Sequence, residues 1–165
     1  MPTREGIRSA AGNEFPASPS KVFAMYLDSY RLCYASADST AMLREDLRAC
    51  LARWQMEDLA DDATLVASEL LSNALRHGRP PVHVECALRR RFRRRPTLRV
   101  KVIDHGPSFD SKVQRARWRH PSFTLEESGR GLYLVDALSS RWGERPTPEG
   151  HVVWADLFVS DGTTR

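Results

Sequence analysis

Glu69, Asn73 and His77 recur every fourth residue in the run Glu-Leu-Leu-Ser-Asn-Ala-Leu-Arg-His. At 3.6 residues per turn, successive members of such a series lie about 40° apart, so a helix sets all three along one edge. A carboxylate can accept a proton and a carboxamide oxygen can ligate a hard cation, and here the two stand one turn apart. Val66, Ala67, Leu70, Leu71 and Ala74 supply the apolar face that would bury this helix and turn its polar edge outward. The plain alternative is a solvated Glu–Asn pair, with His77 a helix C-terminal residue favoured by the dipole.

Two further places have suitable chemistry. Asp104 closes an alternating run from Leu98 to Ile103 and is followed two residues on by Gly106. Gly129 and Gly131 precede an apolar stretch through Val135 and Leu138, and glycine at the positive end of a helix lets backbone amides approach a phosphate. Alone, a strand-end Asp is an ordinary turn residue and a Gly-x-Gly pair is a tight turn. Their order carries the weight: a polar-edged helix, a strand ending Asp-x-Gly, a long loop, then Gly-Arg-Gly-Leu opening a helix.

These groups need elements to hold them. Lys21 to Leu32 is apolar and aromatic enough for a first strand. Leu43, Leu47, Cys50, Leu51 and Trp54 recur at three and four residues, which predicts a helix over 41–54 with Asp38, Ser39 or Thr40 as its cap. A second helix, carrying Glu69, starts near Asp61 or Asp62 and stops at Gly78 before Pro80 and Pro81. Val82–Leu88 and Leu98–Ile103 alternate as two paired strands, and Arg141–Arg145 and His151–Val159 look like strands flanking a Pro/Gly turn. Residues 105–128 show no sustained periodicity and carry Lys112, Arg115, Arg117 and Arg119, as expected of a mobile, basic functional loop.

Composition bounds the class. The 165 residues are 41% hydrophobic and 28% charged, which suits one globular domain, and no apolar run reaches the length of a membrane span. Residues 1–20 read as a loose tail without the apolar segment of a secretion signal, so the expected location is the cytoplasm. Cys33, Cys50 and Cys86 are an odd, widely spaced set, pointing to reduced structural thiols and away from a disulfide frame or zinc site. Of the formal charge of +4, much is concentrated in Arg89, Arg90, Arg91, Arg93, Arg94 and Arg95 around Phe92. A solvated turn between strands explains that run first and a patch for an acidic protein next; direct nucleic-acid binding lacks an aromatic platform or groove-reading helix.

Taken together, the motifs resemble the Bergerat-type ATP-binding family of gyrase B subunits, mismatch-repair proteins, histidine kinases and heat-shock chaperones. Within it, the chain looks most like the small bacterial anti-sigma factor serine/threonine kinases. The resemblance spans roughly residues 21–159, leaving 160–165 as a C-terminal tail. It implies a two-layer α/β sandwich with helices on one face of a mixed, mostly antiparallel sheet. It further implies ATP and Mg2+, with Glu69 as general base, Asn73 as magnesium ligand and His77 as a nucleotide contact. Asp104, beside Gly106, would bind the adenine amino group, and Gly129, Arg130, Gly131 and Leu132 would face the phosphates. The partners implied are a sigma factor, met by Arg44 on the first helix, and an anti-anti-sigma protein as phosphate acceptor; relatives of this kind also form homodimers. One departure is visible, since Pro107 and Ser108 follow Gly106 where the wider family often has a second glycine. The rival reading is an ATP-holding switch that sequesters a partner without transferring phosphate.

Overall fold

Leu98, Val100 and Val102 are buried while Thr97, Arg99 and Lys101 between them are half-buried, so strict alternation splits this strand into a core face and an outer face. The computed structural model describes residues 25–34, 39–90, 95–118, 130–148 and 150–158, with side chains from residue 40 onward apart from 90, 114, 115, 117 and 118. Its strands are β1 (Met25–Tyr34), β2 (Val82–Arg90), β3 (Thr97–Asp104), β4 (Arg141–Thr147) and β5 (Gly150–Phe158). They form one five-stranded sheet in the order β1-β2-β3-β5-β4. The described pairings are all antiparallel, so the sheet expected to be mixed and mostly antiparallel is antiparallel throughout these strands.

One layer of helices covers one face of the sheet. Helix α1 (Ser39–Arg53) buries the anticipated seam of Leu43, Leu47, Cys50, Leu51 and Trp54. Its chain reverses at Gln55, which adopts a left-handed φ of 57°, and Met56 N–H closes onto Leu51 O at 2.9 Å. A 3-10 turn (Glu57–Leu59) leads into α2 (Ala60–His77), which begins a residue ahead of the expected Asp61. No side chain caps α2, and Asp61 and Asp62 lie in its first turn, where negative charge complements the exposed amides. Helix α4 (Arg130–Leu138) packs on α2, and Asp136 accepts a 2.6 Å hydrogen bond from Trp142 of β4. Residues 98, 100 and 102 of β3 and 153, 155 and 157 of β5 meet this layer in one core. This two-layer α/β sandwich is the expected architecture.

Further boundaries differ from expectation: α1 starts at Ser39, so Ser39 and Thr40 lie inside the helix they were expected to cap, and β4 runs on to Thr147. The first strand runs to Tyr34, two residues past Leu32, and residues 21–24 lie outside those described. β2 continues through Arg89 and Arg90, because both find partners on β1, so the arginine run begins as strand. Within the span expected to be irregular, α3 (Ser111–Trp118) forms: Asp110 Oδ1 accepts the Lys112 and Val113 N–H groups at 2.7 and 3.4 Å, an N-cap that a search for apolar period passes over. Among the described residues no helix is long and apolar enough to cross a membrane.

Cys50 and Cys86 are buried free thiols, as expected of structural cysteines. Burial, with Cys50 and Glu85 alongside, pushes the Cys86 thiol from 9.0 up to about 12. A raised acid keeps its proton in the fold and loses it first in the unfolded chain, so stability is full below the unfolded value and falls as pH climbs from 9.0 towards about 12. Urea unfolding across that window should show a decline whose slope is shallower in Cys86→Ala, and thiol reagents should reach Cys86 in the wild type only after unfolding.

Candidate functional site

The polar edge of α2 is built as its periodicity demands. Val66, Ala67, Leu70 and Leu71 are at most 1% exposed, which leaves Glu69 and Asn73 half-buried at the margin and His77 exposed at the end. Each end of this edge meets another element. At the Glu69 end lies the first turn of α4, where a Cβ on Gly131 would sit 2.6 Å from Glu69 Oε2. The carboxylate thus occupies the space that any larger residue would fill, next to the positive end of a helix. Arg130 is exposed and Leu132 half-buried in the same turn, while Gly129 lies outside the described residues.

At the other end is Asp104. It occupies an inward position of β3, continuing the parity of Leu98, Val100 and Val102, and is 4% exposed. Its Oδ1 accepts the Gly106 N–H at 2.6 Å, and His105 N–H donates to Arg79 O at 2.9 Å, stitching the end of β3 to the chain leaving α2. A Cβ on Gly78 would lie 2.5 Å from Asp104 Cγ, and one on Gly106 would lie 2.6 Å from Gly78 Cα. Glu69 and Gly78 are nine residues apart, about 13 Å along the axis at ~1.5 Å per residue. The result is an elongated site, with a buried carboxylate at one end, a carboxylate beside a glycine-opened helix at the other, and Asn73 between.

A model of the histidine kinase-like ATPase domain matches residues 33–157. The chain belongs to that family. No individual curated protein matches it. As a histidine kinase-like ATPase domain it is an ATP-binding module, and the elongated site has ends of the two chemistries that a nucleotide presents. The donor set also suits magnesium. A hard cation that keeps its waters and bridges phosphates needs few protein oxygens, and Asn73, one turn from Glu69 on the same edge, would supply one. Among the described residues no group of three His, Cys, Asp or Glu forms a metal cluster.

Several residues around this candidate site were not legible as such. Gly78 reads in sequence as a helix stop; its φ of −84° and ψ of −165° are open to any residue, and the crowding of Asp104 is what requires glycine. Gly150 has a φ of 152°, and a side chain there would collide with Asp104 O. His151 is 3% exposed, with Nδ1 3.6 Å from Asp104 Oδ2 and Nε2 3.4 Å from Glu144 Oε2. Phe109 meets its ring edge-on at 5.2 Å. The parity of Val153, Ala155 and Leu157 extends inward to residue 151, which is the signal that would have found it.

Arg44 is exposed on α1, and its Nε donates to Ser68 Oγ at 2.9 Å, which in turn donates to Thr64 O at 2.6 Å. It therefore lies against α2 one residue before Glu69. Of the basic loop, Lys112 is exposed on α3, the side chains of Arg115 and Arg117 are not described, and Arg119 lies outside the described residues.

The glycines separate the two ends experimentally. Gly78→Ala drives a Cβ into both Asp104 and the Ala74 carbonyl, so ATP affinity measured by calorimetry should fall at least ~10-fold with a stability loss of about 1–3 kcal/mol. Gly131→Ala meets only the tip of the Glu69 side chain, which can swing away, and should leave the melting temperature nearly unchanged while disturbing phosphate-end chemistry.

Proposed function

We propose that this ATPase-family domain is an ATP-dependent serine/threonine protein kinase of the partner-switching type, binding a sigma factor and phosphorylating a serine of an anti-anti-sigma protein. The domain would span residues 21–159, between tails at 1–20 and 160–165. The observation that carries the reading is the contact of Glu69 with Gly131, because it sets a carboxylate where the glycine-opened turn would hold the terminal phosphate. In that position Glu69 accepts the proton of the attacking serine hydroxyl. The serine oxygen bonds to the γ-phosphorus, the bond from that phosphorus to the β–γ bridging oxygen breaks, and ADP leaves with the electron pair.

Asn73 would supply the protein oxygen to magnesium, whose charge, when bound, neutralises the phosphate oxygens. Asp104 accepts from the adenine amino group, with its other contacts holding the carboxylate in place. His77, exposed at the helix end, stands as a nucleotide contact on the same edge. Arg130 and Leu132 line the phosphate turn, and Arg44 offers an exposed guanidinium to the sigma factor. A non-catalytic ATP-holding switch shares every one of these contacts except proton transfer by Glu69.

The two readings part on one experiment. With labelled ATP and candidate antagonist proteins, the wild type should label a serine, and Glu69→Gln should lower the rate by roughly 100-fold or more while ATP affinity holds. Clear ATP binding with no transfer to any antagonist leaves the switch. Asn73→Ala should abolish magnesium-dependent ATP binding in calorimetry without lowering the melting temperature, since the residue lies on the polar edge and not in the core. Magnesium-dependent affinity equal to that of the wild type would remove Asn73 from the metal site.

A further inference from the structure

The outer face of the sheet carries a second concavity, at the end of β3 away from Asp104, and strand register builds it in two rows. Arg89, Thr97 and Phe158 stand abreast on β2, β3 and β5. Arg99, Asp156 and Arg141 stand abreast in the next row on β3, β5 and β4. Arg95 enters from the β2–β3 connection, and with these residues and Ser140 encloses a cavity of about 390 Å³. Thr97 is seven residues from Asp104, so the cavity lies roughly 23 Å along the strand from the adenine end at ~3.3 Å per residue, and on the opposite face.

Among the described residues the lining holds four guanidiniums, Arg89, Arg95, Arg99 and Arg141, and one carboxylate. Asp156, only 7% exposed, is already bound: Arg99 takes both its oxygens through Nε and Nη2, and its guanidinium lies 4.5 Å from the Trp154 ring centroid. The Ser140 hydroxyl and N–H both donate to Asp156 O at 2.8 Å, fixing the floor where β4 begins. Arg99 is thereby a rigid back wall, held by a bidentate ion pair and an aromatic face, while Arg95 and Arg141 stand exposed at the mouth.

We propose that this concavity binds a compact multivalent phosphate, such as a diphosphate or a small phosphate ester, independently of the nucleotide site. Guanidinium forks match phosphate oxygens in pairs, and each phosphate monoester brings a charge of about −1.5 to −2 at neutral pH to a lining in which guanidiniums predominate among the described residues. The volume falls in the range of roughly 300–1,000 Å³ typical of small-ligand sites. Phe158 is the one aromatic among the described lining residues, and a single ring does not make the stacking track that a nucleic-acid strand requires.

Pyrophosphate without magnesium is the probe, titrated into isotopically labelled protein at two salt concentrations and followed by amide NMR. Shifts should cluster on Thr97, Ser140, Arg141 and Phe158 and weaken with salt. The double variant R95Q/R141Q should bind at least tenfold more weakly with ATP affinity unchanged, and R141E alone serves if the double variant does not fold. Shifts confined to the Glu69–Gly131 end, binding unaffected by the variants, or a response to oligonucleotides with none to pyrophosphate would each overturn the proposal.

Discussion

Asp104 is a carboxylate at an inward position on a core strand, and at 4% exposure it needs partners for what water would otherwise provide. Those partners shape everything near it. The Gly106 N–H bonds one oxygen, His151 faces the other, and Gly78, Gly106 and Gly150 must all lack side chains for the chain ends to approach this closely. The end of β3, the exit of α2 and the β4–β5 turn therefore converge on one carboxyl group. A packed apolar residue at position 104 would satisfy the core equally well, so packing alone does not account for a carboxylate there.

The opposite end of the site depends on helix packing. α4 rests on α2 with its second residue against Glu69, and only glycine leaves room for the carboxylate there. A carboxylate and the glycine-bearing first turn of a helix are thus brought together by the same contact. Asn73 follows automatically, because one turn of helix fixes its distance from Glu69. The two ends are held by different layers: the sheet positions Asp104, and the helices position Glu69, Asn73 and Gly131. Anchoring of the two ends in different layers is what lets substitutions at Gly78 and Gly131 be separated.

Much of this was legible beforehand. Period-4 polar spacing placed Glu69, Asn73 and His77 on one edge, and the apolar seam of α1 was read residue by residue. The strands were found to within about two residues where their ends are described, although the continuation of β2 through Arg89 and Arg90 was missed, since a run of arginines shows no alternation while its backbone still pairs with β1. α3 escaped because its signal is the Asp110 cap and not an apolar stripe. His151 escaped because a lone histidine beside a turn carries no periodicity until the register of β5 is known.

Local pattern by itself determined α1, α2, α4 and the strands, because each rests on spacing within a short window, while the order of the motifs along the chain pointed to the family to which it belongs and, through it, to the two-layer class. Only the tertiary structure decided which glycines act as spacers, that His151 and Glu144 stand behind Asp104, and that four arginines from three strands and a connection share one cavity. Those are contacts between residues tens of positions apart, set by strand register and helix packing. Sequence spacing carries no direct measure of either.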